Sequence, residues 1–135
     1  MGSKENLLAS LTDPEREHIL RLEASVHAEQ ALLLLNKCKK ELEQAQYYAR
    51  NPMMQMNDQF QEDTHKANAG ALADQCRQQL DAIVTCGFDI SIHPYLQNPM
   101  GYIVTARRYG DQDQMNKAQD GIRETEKLLK KILLR

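Results

Sequence analysis

The chain has 135 residues, 41% of them hydrophobic, with 17 Lys and Arg against 19 Asp and Glu and a formal net charge of -2. This length and composition fit one domain with a packed core, and the near-balanced charge excludes a strongly basic chain that coats nucleic acid. The longest run of Leu, Ile, Val and Ala covers only residues 31–35, whereas a membrane-spanning helix needs roughly 18 apolar residues, so no membrane segment is expected.

Residues 1–12 are expected to be a flexible N-terminus. They begin small and polar, and the apolar stretch that follows, residues 7–11, is too short for the core of a signal peptide. The cysteines Cys38, Cys76 and Cys86 are odd in number and lack a metal-binding spacing, which favours reduced thiols over a disulfide framework. Both features predict a cytoplasmic protein.

The first helix is predicted at residues 14–50. Thr12 and Glu15 have the spacing of a capping box, and Pro14 fits the first turn, where no backbone N–H donor is needed. No Gly or Pro follows before residues 51 and 52. The helix would therefore be about 55 Å long at ~1.5 Å per residue.

Small apolar residues of this helix form a seam in heptad register. They alternate between steps of four and three residues: Ala24, Ala28, Ala31, Leu35, Cys38, Leu42, Ala45 and Ala49. Such a seam lets a second helix approach closely. Because Leu32, Leu33 and Leu34 widen the apolar surface, we expect this stretch to contact two neighbours.

A methionine-rich break follows at residues 51–57. Pro52 disfavours the helical conformation of the residue before it. Met53, Met54 and Met56 are unusual in a solvated loop, and two interpretations stay open: they close the end of a helical bundle, or they form an adaptable surface that binds a partner.

The second helix is predicted at residues 58–86, with Gly87 as its left-handed C-terminal cap. Its expected core face consists of Phe60, Ala67, Ala71, Cys76, Leu80 and Ile83. Gly70 leaves open whether this segment is one helix or two.

A β-hairpin is predicted at residues 88–109. Phe88, Ile90 and Ile92 alternate with polar residues, and a second β-rich run begins at Tyr102 after a loop with two prolines. A helix at 111–135 completes the chain, with a second heptad seam at Met115, Ala118, Ile122, Thr125, Leu129 and Ile132. The predicted fold class is therefore mainly α, with two or three long antiparallel helices and one β-hairpin inserted before the C-terminal helix.

The sequence offers little for catalysis. The repeated Glu-x-x-His, at Glu15 to His18 and Glu62 to His65, has the spacing of a carboxylate-bridged di-iron protein, but antiparallel helices would place the two pairs at opposite ends. The sequence shows no local nucleophile signature and no phosphate-binding Gly-rich loop. We therefore predict a protein that is not an enzyme and has no metal or cofactor.

Residues 64–106 are similar in their order of elements to the second half of a winged helix-turn-helix module. A junction at Gly70, a helix from residue 72 to 86 and the hairpin would correspond to the turn, the recognition helix and the wing. This resemblance implies DNA binding through Arg77, Gln78, Arg107 and Arg108. The exposed face of that helix is nearly neutral, however, whereas phosphate contacts need positive charge.

The preferred prediction is a non-enzymatic interaction protein, such as an adaptor, assembly factor, chaperone or regulator. Two heptad seams on helices of unequal length leave apolar surface that one copy does not cover, which favours a homodimer or a docked protein partner. The predicted partner-binding residues are Leu32, Leu33, Leu34, Leu35, Met53, Met54, Met56, Ile122 and Leu129. A winged-helix-like transcriptional regulator with a C-terminal dimerisation helix is the alternative.

Overall fold

The computed structural model describes residues 6, 9–49, 56–99, 101 and 112–134. Four helices follow one another in this part of the chain: α1 at Asp13–Ala49, α2 at Met56–Thr85, α3 at Pro94–Gln97 and α4 at Gln112–Leu133. The mainly α prediction is confirmed, and the three long helices begin and end within two residues of the predicted bounds. None of these described helices combines the length and the apolar character needed to span a membrane.

The predicted β-hairpin is wrong. Residues 88–93 form no strand, no strand occurs anywhere in the described part, and the chain turns directly into α3. The side chains of Phe88, Ile90 and Ile92 pack partly buried against the helical core. These three side chains therefore attach an irregular connection to the helices. The alternation does not mark a strand, because the segment has no hydrogen-bonded neighbouring strand among the described residues. The second predicted strand, from Tyr102, lies outside the described residues.

α1 begins at the predicted capping box. Thr12 donates its backbone N–H to Glu15 Oε1 at 2.9 Å, and Glu15 donates its own N–H to Thr12 Oγ1 at 3.3 Å. The hydrogen bonds from Thr12 hold the pKa of Glu15 below its usual range. Two backbone donors that a helix start would leave unpaired are satisfied, which fixes where α1 begins.

α1 and α2 are antiparallel and pack along two facing heptad seams. The buried residues of α1 are those predicted, except for the last: Ala24, Ala28, Ala31, Leu35, Cys38, Leu42 and Ala45. On α2, the buried side chains follow the same alternation: Glu62, Lys66, Ala69, Ala73, Cys76, Leu80 and Ile83. Because Ala and Cys occupy many of these positions, the two backbones approach closely.

The core face predicted for the first half of α2 is wrong. Phe60 is 65% exposed, and Ala67 and Ala71 are exposed as well. Glu62 and Lys66 take the core positions instead, because their side chains form an ion pair with 2.8 Å between Oε1 and Nζ. A prediction that assumes an uncharged core therefore places the core face on the other side of this helix.

The pairing of α1 with α2 follows a local twofold axis. The Cys38 thiol donates to the backbone oxygen of Ala69 at 3.4 Å, and the Cys76 thiol donates to that of Ala31 at 3.7 Å. Each cysteine lies one heptad after the alanine of its own helix. Exchange of the two helices thus converts one contact into the other.

The same symmetry is present in the sequence as an internal repeat. The pattern His-x3-Ala-x2-Leu-x3-Cys-x3-Leu occurs at residues 27–42 and again at residues 65–80. The first residue of each copy, His27 or His65, contacts the opposite helix. α1 and α2 are therefore two versions of one helical pattern, packed against each other.

α4 packs against α1, and α3 lies between α2 and α4. Among residues 115–133, the buried side chains are those of the predicted seam: Met115, Ala118, Ile122, Thr125, Leu129 and Ile132. Tyr95 of α3 is fully buried next to Gly121 of α4. A Cβ atom at Gly121 would lie 3.0 Å from Tyr95 Cβ and 2.7 Å from His93 Nδ1, so glycine permits this close approach of α3 to α4.

Candidate functional site

The predicted partner-binding residues of the seams lie inside the molecule. Leu35, Ile122 and Leu129 are at most 2% exposed, within one core formed by α1, α2, α3 and α4. Leu32 and Leu34 are partly buried and pack against the same core. The two predicted seams are thus covered by contacts within a single chain.

Several predicted residues lie outside the described part of the chain: Met53, Met54, Arg107 and Arg108. Met56 is the first residue of α2. The partner-binding and DNA-binding roles expected for these residues stay predictions.

The described residues do not form the predicted winged helix-turn-helix. α2 continues through the buried Gly70 without a turn, and the first strand of the wing is absent from residues 88–93. Gln78 is exposed, but the Arg77 guanidinium is partly buried and donates from Nη1 to the backbone oxygen of Gln97 at 3.0 Å. Arg77 therefore attaches α3 to α2.

Leu33 belongs to an apolar stripe on the outer face of α1, opposite the core seam. Four residues of this face are spaced by seven: Val26, Leu33, Lys40 and Tyr47. Leu22 lies one turn before Val26, so all five residues share one face of the helix. We call these five residues the outer stripe. Leu33 and Leu22 are each 56% exposed, Val26 is 57% exposed and Tyr47 is 71% exposed. α1 therefore carries apolar side chains on two opposite faces.

Most of the outer stripe is absent from the predicted partner-binding residues. Of its members, only Leu33 is among the predicted partner-binding residues. The seven-residue spacing of Val26, Leu33 and Tyr47 is a signal in the sequence, but the longer core seam of the same helix dominates the hydrophobic pattern.

The core contains three buried protic side chains, those of Cys38, Cys76 and Tyr95. Cys38 Sγ lies 3.5 Å from the Tyr95 hydroxyl oxygen, and Cys76 lies one heptad from the layer of Cys38. Burial raises the pKa of the Cys38 thiol to about 11 and that of the Cys76 thiol to about 12, and it raises the pKa of Tyr95 further above its ordinary value. At neutral pH these groups stay protonated, so the two thiols are poor nucleophiles.

Two histidines join α1 to α2 at equivalent places of the repeat. His27 Nδ1 lies 2.7 Å from Gln79 Oε1, and His65 Nδ1 lies 2.5 Å from Glu41 Oε2. The His65 ring also stacks on Tyr48, with 5.8 Å between the ring centroids. These contacts fix the register of the two helices on the flank of the core seam.

The described residues contain no group of three or more His, Cys, Asp or Glu side chains placed to hold a metal ion. The two Glu-x-x-His pairs lie near the starts of antiparallel helices, at opposite ends of the α1–α2 pair. Glu15 is engaged by Thr12, and Glu62 is engaged by Lys66.

A cleft of about 550 Å³ opens at one end of the molecule. Its walls come from the first turns of α1, from residues 86–90 after α2, and from the last turns of α4. The apolar residues that line it are Leu20, Phe88, Ile90, Leu128 and Ile132. We call it the end cleft; its size is within the range of small-molecule sites.

Comparison of this chain with protein-family models, with curated proteins and with solved structures finds no match in any of the three.

Proposed function

We propose that this protein is a non-enzymatic interaction protein that associates with a second copy of itself through the outer stripe of α1. The observation that carries the proposal is the exposure of four large apolar side chains on one face of a single helix. Exposed apolar surface on one side of a helix often marks a protein contact. The seams predicted from the sequence serve the fold of one chain, whereas the outer stripe is exposed and available to a partner.

The charges beside the apolar residues favour a second, antiparallel copy as that partner. Glu29 lies before the middle of the outer stripe, and Lys40 lies after it. An antiparallel heptad contact that sets Leu22 against Tyr47 of the second copy also sets Glu29 against Lys40 of the second copy. A twofold interface makes each such contact twice.

Neither Glu29 nor Lys40 forms an ion pair with another described residue of its own chain. Both side chains are exposed. They are therefore free to pair across an interface, where complementary charges fix orientation and register.

The strength of the contact follows from its composition. The outer stripe runs from Leu22 to Tyr47, roughly 38 Å at ~1.5 Å per residue, but polar residues occupy several of its heptad layers. Such a contact is at the small end of protein interfaces, so we expect reversible association at roughly micromolar concentration.

The chemistry of the core supports a role without catalysis. The buried thiols are protonated at neutral pH, and two of the histidines, His27 and His65, pair with residues of the opposite helix. All three cysteines are buried and none of them forms a disulfide, which suits a reducing compartment, and we propose the cytoplasm.

Charge reversal tests both the partner and its orientation. Glu29→Lys or Lys40→Glu alone places like charges opposite each other, and we expect each to weaken dimerisation about tenfold at low salt in sedimentation velocity. The double variant Glu29→Lys/Lys40→Glu restores the pairs in reversed order. Within one chain the two residues are about 16 Å apart along the helix, too far for a direct ion pair, so a rescue that exceeds the effect of net charge indicates a contact between copies.

Asp74→Lys, an equally exposed charge reversal on α2, is the matched control and leaves dimerisation unchanged. Equal weakening by Asp74→Lys would show that only the net charge matters. Absence of rescue in the double variant would contradict the antiparallel contact.

A further inference from the structure

The end cleft is a second surface that the fold leaves open, and none of its lining residues belongs to the outer stripe. Three segments that are distant in the sequence build it: the start of α1, residues 86–90 and the end of α4. Leu20, Phe88 and Leu128 are partly buried against the core and also line the cleft. Part of each of these side chains is thus left for a ligand to cover.

The charged residues at the cleft favour neither sign of ligand charge. The cleft is lined by three acidic and three basic side chains: Asp13, Glu17, Asp89, Arg16, Arg21 and Lys131. Arg21 Nη2 lies 2.8 Å from Glu17 Oε1, and Arg16 Nη2 lies 3.6 Å from Asp13 Oδ1. Four of the six charges are therefore paired with each other, and the net charge of the lining is zero.

We propose that the end cleft binds an uncharged, apolar small molecule. An apolar ligand would cover the exposed parts of Leu20, Phe88 and Leu128. An ionic ligand would lose its hydration in the cleft without gaining a net opposite charge there. This inference is independent of self-association, because the end cleft shares no residue with the outer stripe.

The test uses the neutral fluorophore N-phenyl-1-naphthylamine with the full chain. We expect saturable binding with one site per chain. Leu20→Trp fills the cleft and weakens binding at least tenfold, whereas Gln30→Trp, on an exposed position of the same helix, leaves binding unchanged. An unchanged affinity in Leu20→Trp overturns the proposal. Tighter binding of the anionic fluorophore 1-anilinonaphthalene-8-sulfonate overturns the ligand class.

A second readout on the unmodified protein covers the case in which Leu20→Trp does not fold. Cys86 lines the cleft and is 7% exposed, whereas Cys38 and Cys76 are 0% exposed. Saturating N-phenyl-1-naphthylamine is expected to slow the reaction of Cys86 with a neutral maleimide at least fivefold, and Cys86→Ser identifies the reacting thiol. An unchanged reaction rate overturns the proposal.

Discussion

At the scale of single residues, buried polar groups mark where this core differs from an apolar one. Cys38 and Cys76 each donate to a backbone oxygen of the opposite helix, and Tyr95 contacts Cys38. Such groups are compatible with burial when they have hydrogen-bond partners. The stability of the fold therefore depends on whether these groups are protonated.

The two thiols predict a loss of stability at alkaline pH. Their ordinary pKa is 9.0, and burial raises it to about 11 for Cys38 and about 12 for Cys76. Because the unfolded chain loses these protons first, the stabilising effect is complete below pH 9 and is lost as pH rises through the folded-state pKa. A rise from pH 8 to pH 10.5 should therefore lower the free energy of unfolding by about 2 kcal/mol for each thiol.

Urea unfolding at the two pH values measures this effect. Cys38→Ala and Cys76→Ala should each show a smaller alkaline loss than the wild type. Leu42→Met, a volume-conserving change in the same seam without a thiol, should keep the wild-type loss. An equal alkaline loss in all four proteins would mean that the thiols are not responsible.

The buried ion pair of α2 makes a second prediction at this scale. The side chains of Glu62 and Lys66 are 9% and 5% exposed, so Lys66→Ala leaves a carboxylate buried without its partner. We expect this variant to lose about 3–5 kcal/mol of unfolding free energy. The double variant Glu62→Leu/Lys66→Met should recover most of that loss, because neither charge remains.

The exposed pair of Arg21 and Glu17 is the control for the buried one. It has the same spacing on a helix, but its side chains are 58% and 65% exposed. Glu17→Gln should therefore change the unfolding free energy by less than about 1 kcal/mol. A similar cost for Glu17→Gln and Lys66→Ala would contradict the role assigned to burial.

At the scale of elements, the sequence predicts helices well where a cap or an apolar period specifies them. The Thr12 and Glu15 capping box locates the start of α1, and the heptad seams of α1 and α4 match their buried residues. Gly87 closes α2 with a φ of 99°, a left-handed conformation that suits glycine. These signals are local, so no tertiary information is needed to recognise them.

Prediction fails where a distant contact decides the local structure. The alternation of Phe88, Ile90 and Ile92 is typical of a strand, but these side chains pack on helices and the segment leads into α3. The core face predicted for the first half of α2 is wrong because Glu62 is buried there, where its carboxylate forms an ion pair with Lys66. The end cleft combines three remote segments, and no pattern in a single segment indicates it.

The contact between α3 and α4 gives a prediction that helix propensity alone would reverse. Gly121→Ala in an unconstrained helix would stabilise it by ~1 kcal/mol. Here the new methyl group would meet His93 and Tyr95, so we expect a net loss of roughly 1–3 kcal/mol as α3 shifts. Thermal unfolding measures the change, and Lys127→Ala on the exposed face of α4 should have little effect. A stabilised Gly121→Ala would mean that α3 does not pack on α4 as described.

At the scale of the whole molecule, a repeated helical pattern forms the core and leaves one helix apolar on both faces. The copies at residues 27–42 and 65–80 pack antiparallel, and α4 covers α1 on a third side. The leucine run predicted to bind a partner is divided by this arrangement: Leu32 and Leu34 face the core, whereas Leu33 faces outward. This arrangement is therefore the basis for the self-association that we propose.

Light-scattering mass as a function of concentration measures this association. The chain has a mass of 15.5 kDa, and we predict a rise toward twice this value as the wild-type concentration passes through the micromolar range. Leu33→Asp should stay at 15.5 kDa with an unchanged melting temperature, because Leu33 is 56% exposed and contributes little to the core. A wild type that stays monomeric at all concentrations, or a Leu33→Asp variant that dimerises equally well, would contradict the account.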